Sequence, residues 1–460
     1  MTTEYSSIKI SLSEAEEIAS INFGKKGVAT PLPGELDFNF KICTHNENYI
    51  LKVGRPGENI ELLDFQQKIL NHIEKQEAPF LSPKFLTDLK GKSISSFIDA
   101  NGEKRNIRLL SWIDGRLWSE VNPKTDNLLV GLGEMAGKLT TSLYDFDHPC
   151  AHRAFEWVIA QSEWVNNHLD LFSSKKKFIL THFISLFKSV QLSLSHIRKS
   201  VVHNDVNDNN ILITEDIESP KIRAIIDYGD AIYTQSINDL AVTIAYAVMG
   251  KPDPLEASLQ IVAGYHKFFT LTEEELSVLY VLVAMRLVIS LTKSAINKQK
   301  EPDNSYLLIS EKPAWELLER WIQVNKNLAY FSYREACGFS AHPKELEFNR
   351  WSKQQNLSLK EMFPSLDSNL PFVLNMGIDS SWLGHEMEYN DNDFLDYKIS
   401  RLQQQNKNHI LAGGYIEVRP FYLTDAYKKE GNNGFEYRSV HLGIDFWSPA
   451  LTPVHAIFDG

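Results

Sequence analysis

The chain of 460 residues carries 47 basic and 59 acidic side chains, a formal net charge of −12, with 43% apolar and 23% charged residues. That is the balance of an ordinary globular protein. No basic run concentrates enough charge to track a phosphate backbone, which argues against a nucleic-acid partner. At about 150 residues per domain the length allows roughly three units. Cys43, Cys150 and Cys337 are odd in number and far apart. Neither a disulfide framework nor a cysteine zinc site is expected, and a reducing, cytoplasmic location follows. The N-terminal segment is polar and acidic, unlike a secretory signal. The apolar run at 279–291, "LYVLVAMRLVISL", is short for a bilayer and has Arg286 at its middle, so it reads as a buried helix with no membrane role.

In chain order, "KISLSEAEEIASINFG" predicts a short helix capped by Ser11 or Ser13. Alternating apolar and polar residues at 36–42, 48–53 and 105–113 predict antiparallel strands, with an amphipathic helix at 59–75 inserted between the last two. Residues 1–112 therefore read as a small sheet unit. After a hinge in "LLSWIDGRLW", helices are expected at 126–144, 153–169, 176–198, 236–249, 254–269, 273–297 and 312–327, within a unit spanning 113–340. Only 200–233 interrupts them, with two short strand pairs. Residues 341–375 read as a linker and 376–460 as a partial, β-rich unit with glycine turns. The expected fold class is α+β: a small antiparallel sheet lobe and a helical lobe, followed by that partial domain.

The segment "SVVHNDVNDNNILI" places polar residues between two apolar strand ends, where bare burial is costly. His203, Asp205 and Asn210 fit H-x-D-x-x-x-x-N, and "AIIDYGD" follows with Asp227 at the end of an apolar strand. In order, these are the catalytic and metal loops of kinase-fold phosphotransferases. Asp205 would accept or orient the proton of an attacking hydroxyl, and His203 would brace the loop. Asn210 and Asp227 would hold Mg²⁺, whose hardness suits oxygen ligands. Upstream, Lys52 in "NYILKV" is placed to hold the phosphates of ATP, with Glu61 or Asp64 on the next helix as its carboxylate partner. The covering loop, "PLPGELDFNF", has a single glycine, Gly34, and departs from G-x-G-x-x-G.

Lys52, "RLLSWIDGR", "HNDVNDNN", "IDYGDA" and "NDLAV" together resemble the aminoglycoside/choline phosphotransferase superfamily, most closely its hydroxylysine-kinase-like members, over roughly 15–335. The resemblance implies a bilobal kinase fold with ATP in the cleft near 110–118, and a structural role for Asp239 beneath the catalytic loop. Few residues separate Asp227 from the helix expected at Ser236, and Asn204 stands where a protein kinase has arginine. That leaves no room for a peptide-holding segment, so a small hydroxyl-bearing acceptor is expected. Asp230 and Asp37 are placed to meet a substrate ammonium, which favours an amino alcohol such as hydroxylysine or ethanolamine.

"RSVHLGIDFWSPALTPVHAIFDG" resembles the first half of the lysostaphin-type zinc endopeptidases, whose H-x-x-x-D ligands would be His441 and Asp445. The later H-x-H is missing, so an incomplete site that binds no zinc tightly is expected. The order of the two regions is similar to the first part of bacterial fusions that continue into a class-III aminotransferase-like domain. Pyridoxal phosphate would belong to that later domain, outside this sequence. Asp459–Gly460 reads as a turn after an apolar strand, as in a shortened chain. Two other readings stand beside the kinase: a nucleotide-binding pseudokinase, and the regulatory part of a cell-wall endopeptidase.

Overall fold

A computed structural model of the chain describes residues 9–34, 37–76, 80–300, 311–355, 358–365, 371–407 and 409–458. The turn expected at Asp459–Gly460, and Glu35–Leu36 of the covering loop, lie outside them. Two compact units are present, Met1–Ala341 and His342–Gly460.

The first unit opens with α1 (Leu12–Phe23), which Ser11 and Glu14 start with a reciprocal capping box. It covers an antiparallel sheet of β1 (Val28–Leu32), β2 (Phe38–Cys43), β3 (Asn48–Val53), β4 (Phe85–Leu86), β5 (Ser95–Ile98) and β6 (Lys104–Ser111). The strand order is β1-β2-β3-β6-β4, with β5 on β6. Along β3, Tyr49, Leu51 and Val53 are buried with Ile18, Phe40 and Leu109, as the period of two requires. Lys52 therefore falls on the other face, in register with Asn39 of β2 and Arg108 of β6. Helix α2 (Ile60–Lys75) turns Phe65, Ile69, Leu70 and Ile73 into the core of the helical lobe, so it joins the two lobes.

The helical lobe is built from β7 (Arg116–Leu117), α3 (Asp126–Leu143), α4 (Ser174–His196), β8 (Lys199–Val202), β9 (Ile211–Ile213), β10 (Ile222–Ile225) and β11 (Ile232–Gln235). Helices α5 (Ile237–Ala247), α6 (Pro254–His266), α7 (Glu273–Lys300), α8 (Glu311–Trp321) and α9 (Lys326–Ala336) complete it. The stretch expected as a helix at 153–169 is instead 3₁₀ structure over Ile159–Leu171, broken by a non-helical Gln161. Helix α7 is longer than its apolar run suggested, and 89% of its most apolar window is buried inside the protein. It forms the centre of the lobe.

Helices α3 and α6 touch backbone to backbone. A Cβ on Gly133 would strike the Ile261 carbonyl, one on Gly264 the Val130 carbonyl, and one on Gly137 would lie 2.6 Å from the Tyr265 oxygen. Gly131, on the same helix, would meet only Ile222 at an ordinary 3.7 Å.

The second unit is mixed. Helices Glu345–Lys353 and Leu359–Met362 lie in the stretch expected as a linker. A 14-residue helix, Asn392–Gln405, lies in the part expected to be β-rich. Its inner face carries Leu395, Ile399 and Leu402, of which Ile399 is buried. Phe372–Leu374 runs parallel to Leu411–Gly413, which pairs antiparallel with Phe446–Trp447 around a core of Leu374, Met376, Ile399 and Leu411.

The glycine contacts predict a sharp contrast. Gly133→Ala should cost about 1–3 kcal/mol in urea unfolding, because a backbone neighbour must move. Gly131→Ala should be neutral or stabilising by up to about 1 kcal/mol, from helix propensity alone.

Candidate active site

Strand pairs bring two loops together. β8 pairs with β11 so that Val202 faces Ile232, and β9 pairs with β10 so that Ile211 faces Ile225. The loop 203–210 and the loop 226–231 thus leave the sheets side by side. Two non-glycine residues at positive φ sit here, Asn204 at 65° and Asp227 at 63°. Such conformations cost free energy and persist where the surroundings impose them.

Asp239, in the first turn of α5, does much of the imposing. It is 1% exposed, and its two oxygens accept the backbone N–H groups of His203 at 3.0 Å and Asn204 at 2.7 Å. Burial pushes its carboxyl above the usual range, while His203 and the two N–H groups pull it back. The buried ring of His203 accepts from the Asp205 N–H through Nδ1 at 3.3 Å. Its Nε2 lies 3.1 Å from the Ile226 carbonyl, directly before Asp227. His203 therefore links the two loops.

The Asp205 carboxylate is held on both oxygens. Oδ1 accepts from Arg286 Nη2 at 2.8 Å, and Oδ2 from the side-chain amides of Asn207 at 2.8 Å and Asn210 at 2.9 Å. Asn210 thereby uses its nitrogen, and among the described residues its Oδ1 accepts no hydrogen bond. Across the gap, Lys52 Nζ lies 3.3 Å from Asp227 Oδ2. That charge, ahead of the opposing effect of burial, holds the Asp227 carboxyl below its usual range.

Three sequence expectations fall elsewhere. Glu61 stays exposed at the start of α2, and Asp64 lies 2.6 Å from Lys68 and 3.4 Å from His148, so neither is the partner of Lys52. From α2, the Gln66 amide would lie 3.8 Å from a Cβ on Gly229 in the loop 226–231. Asp37 is paired at 2.6 Å with the buried Arg108, which also meets Glu58 at 3.3 Å, so its carboxylate is engaged within the sheet lobe. Gly34 is close-packed, because a Cβ there would strike the Asn39 amide. That amide in turn donates to the Pro33 carbonyl at 3.0 Å.

Asp230 remains. Among the described residues it makes no ion pair or hydrogen bond. Burial, then the charge of Asp205, pushes its carboxyl up to about 7, against the opposing pull of Arg286. Arg286 itself was not singled out from the sequence for this site. Its signal was a lone cation inside the apolar run at 279–291, since a buried charge needs a partner.

In the second unit, His441 Nε2 lies 3.3 Å from Asp445 Oδ2, but Arg419 Nη1 holds the same carboxylate at 2.7 Å and Tyr422 bonds His441 Nδ1 at 3.1 Å. Among the described residues no third His, Cys, Asp or Glu joins them. With a guanidinium on one ligand, this pair does not fit a zinc site.

A cleft lysine, an H-x-D-x-x-x-x-N loop and a second acidic loop on a sheet lobe and helical lobe define a phosphotransferase with the protein-kinase-like fold. Residues 28–276 match the phosphotransferase enzyme family, and the chain belongs to it. It is 30% identical over 348 residues to hydroxylysine kinase of Bos taurus, covering 69% of this chain and 91% of that one. Among solved structures it is similar to a microcompartment-associated aminopropanol kinase, with a TM-score of 0.54 at 15% identity over 68% of this chain and 98% of that one. An amicoumacin kinase in complex with AMP-PNP and Ca²⁺ gives a TM-score of 0.50 at 15% identity, covering 71% and 95%. At that identity the two structures share the fold. The protein is an enzyme that phosphorylates the hydroxyl group of a small molecule.

Asp239→Asn should loosen the catalytic loop, because an amide offers one acceptor where the carboxylate offers two. Unfolding free energy should fall by about 1–3 kcal/mol, with turnover falling alongside it. A variant of unchanged stability and turnover would show that the loop is held by other contacts.

Proposed function

We propose that the protein is an ATP- and Mg²⁺-dependent kinase acting on an amino alcohol, with hydroxylysine the foremost acceptor. The observation that carries this reading is the unpaired Asp230 carboxylate beside Asp205, in a cleft where Asp37 already has a partner. Asp230 stands near Asp205 and Asp227 with Arg286 and Arg153 as the opposing charges, and with no ion-pair partner of its own among the described residues it is the carboxyl open to a substrate ammonium. Hydroxylysine and ethanolamine both carry an amine near the hydroxyl. The likeness to hydroxylysine kinase points the same way.

In this reading Asp205 receives the proton of the acceptor hydroxyl, and its two-sided hydrogen bonding keeps it oriented. Lys52 binds the phosphates of ATP. Asn210 Oδ1 and the Asp227 carboxylate form an all-oxygen donor pair that fits a hard divalent cation, and they would hold Mg²⁺. When bound, the cation supplies neutralisation of the charge on the transferring phosphoryl group. His203 keeps the two loops in step. The pseudokinase alternative is disfavoured by the complete set of Lys52, Asp205, Asn210 and Asp227. The chain's second unit is an accessory body in which the His441–Asp445 pair serves structure, and the enzyme works in the cytoplasm.

Purified protein offered hydroxylysine, ethanolamine, choline and an aminoglycoside should consume ATP fastest with one of the first two. Asp205→Asn should lower that rate by about 10²-fold or more. Asp227→Ala should weaken Mg-ATP binding in calorimetry. Equal turnover of choline, which has no amine N–H to donate, would remove the ammonium argument.

Asp230→Asn should separate binding from stability. Loss of a charge-assisted hydrogen bond should raise KM for the amino alcohol by about 10- to 100-fold. Stability should move the other way. An aspartate ionises near 4 when unfolded, and Asp230 does so only near 7 in the fold. Its charge therefore opposes folding increasingly as pH rises from about 4 to 7, and fully above 7. The melting temperature of Asp230→Asn without substrate should exceed that of the parent by roughly a few degrees at pH 8, and by less at pH 5.5. Identical melting curves at pH 8 would show that Asp230 is already compensated.

A further inference from the structure

We propose that Arg286 is a positioning residue for phosphoryl transfer, a buried guanidinium that fixes the Asp205 carboxylate against the acceptor hydroxyl. The inference rests on Asp205 being the group that meets that hydroxyl.

Arg286 lies mid-way along α7 with only 1% of its surface exposed, between the equally buried Met285 and Leu287. A cation there is costly to desolvate, and a buried ion pair is weak evidence of a purely stabilising role. What the arginine adds is geometry. Its guanidinium lies over the Trp157 ring at 4.7 Å and faces Tyr246 at 5.5 Å, while Nη1 donates to the Trp157 carbonyl at 3.3 Å. Those contacts leave Nη2 to donate to Asp205 Oδ1 at 2.8 Å. The donor is thus held by two aromatic faces and a carbonyl independently of Asp205.

The other oxygen of Asp205 is held by Asn207 and Asn210, which belong to the same loop and move with it. Arg286 is different, since it reaches the loop from the central helix of the lobe. It sets Asp205 relative to the rigid core rather than relative to its own loop. The other arginine pairs of α7 have no such part. Arg198 pairs with Glu275 and Arg334 with Glu273, and both tie down the first turn of the helix. The same guanidinium also offsets the repulsion between Asp205 and Asp230. With the aromatic pair filled by the protein's own cation, the ammonium of the acceptor is left to Asp230.

The test uses the full chain with four variants: Arg286→Met, Arg286→Lys, Asp205→Asn, and Arg286→Met combined with Asp205→Asn. The acceptor is whichever of hydroxylysine, ethanolamine and 1-amino-2-propanol the parent turns over fastest. Arg286→Met should lower kcat by about 10²-fold while KM for Mg-ATP and for the acceptor changes by less than about threefold. Arg286→Lys keeps the charge but loses the planar fork, and should recover about tenfold of that loss. Within Asp205→Asn, adding Arg286→Met should cost less than about threefold further, because residues acting as one unit are not additive. If Arg286→Met does not fold, the same kcat-without-KM signature in Arg286→Lys stands as the test. A rise in acceptor KM with kcat preserved would make Arg286 a substrate contact and overturn the inference. So would fully additive losses in the double variant. Unchanged turnover in Asp205→Asn would overturn the role of Asp205 and the inference together, whereas loss there with full kcat in Arg286→Met would overturn the inference alone.

Discussion

The arrangement of the cleft depends on a carboxylate that never reaches it. Asp239 is buried beneath the loop 203–210 and takes up two consecutive backbone N–H groups at the point where the chain turns through a left-handed residue. Buried N–H groups must find acceptors, and here both find the same one. The acid is anchored in the first turn of α5, where the exposed N–H groups of a helix favour negative charge. Through His203 and the Ile226 carbonyl, the order imposed on the first loop passes to the second. One side chain thereby sets the mutual placement of Asp205 and Asp227, which are on different loops.

Around that pivot the fold supplies rigidity in layers. The strand pairs β8–β11 and β9–β10 fix where each loop begins and ends. The glycine-lined contact of α3 with α6 lets the surrounding helices close up without side chains between them. Helix α2 belongs to the helical core through Phe65 and Ile69 yet begins directly after the sheet strand carrying Lys52.

Much of this was legible in the sequence, and for identifiable reasons. The two loops are local, so fixed spacing picked out His203, Asp205, Asn210 and Asp227, which the fold sets on adjacent loops. Strand alternation sufficed to put Lys52 on the face away from Leu51 and Val53. Contacts that depend on how elements dock were not legible. Alternation cannot say that Asn39, Lys52 and Arg108 form one row across three strands, and that register is what gives Asp37 its partner. Choosing between Glu61 and Asp64 required the rotation of α2 about its own axis. His148, distant in sequence, helps engage Asp64. The helix at 392–405 escaped although Leu395, Ile399 and Leu402 fall at helical spacing, because that short stripe sits among mostly polar residues.

The contact between Lys52 and Asp227 gives the cleft an internal symmetry of charge. One cation and one anion face each other at 3.3 Å, each of them suited to a different part of an incoming metal–nucleotide complex. In the proposed reading, binding such a complex would be a change of partners, with Lys52 turning to phosphate and Asp227 to the metal. Without such a complex, the cleft resembles a clasp fastened to itself across the two lobes.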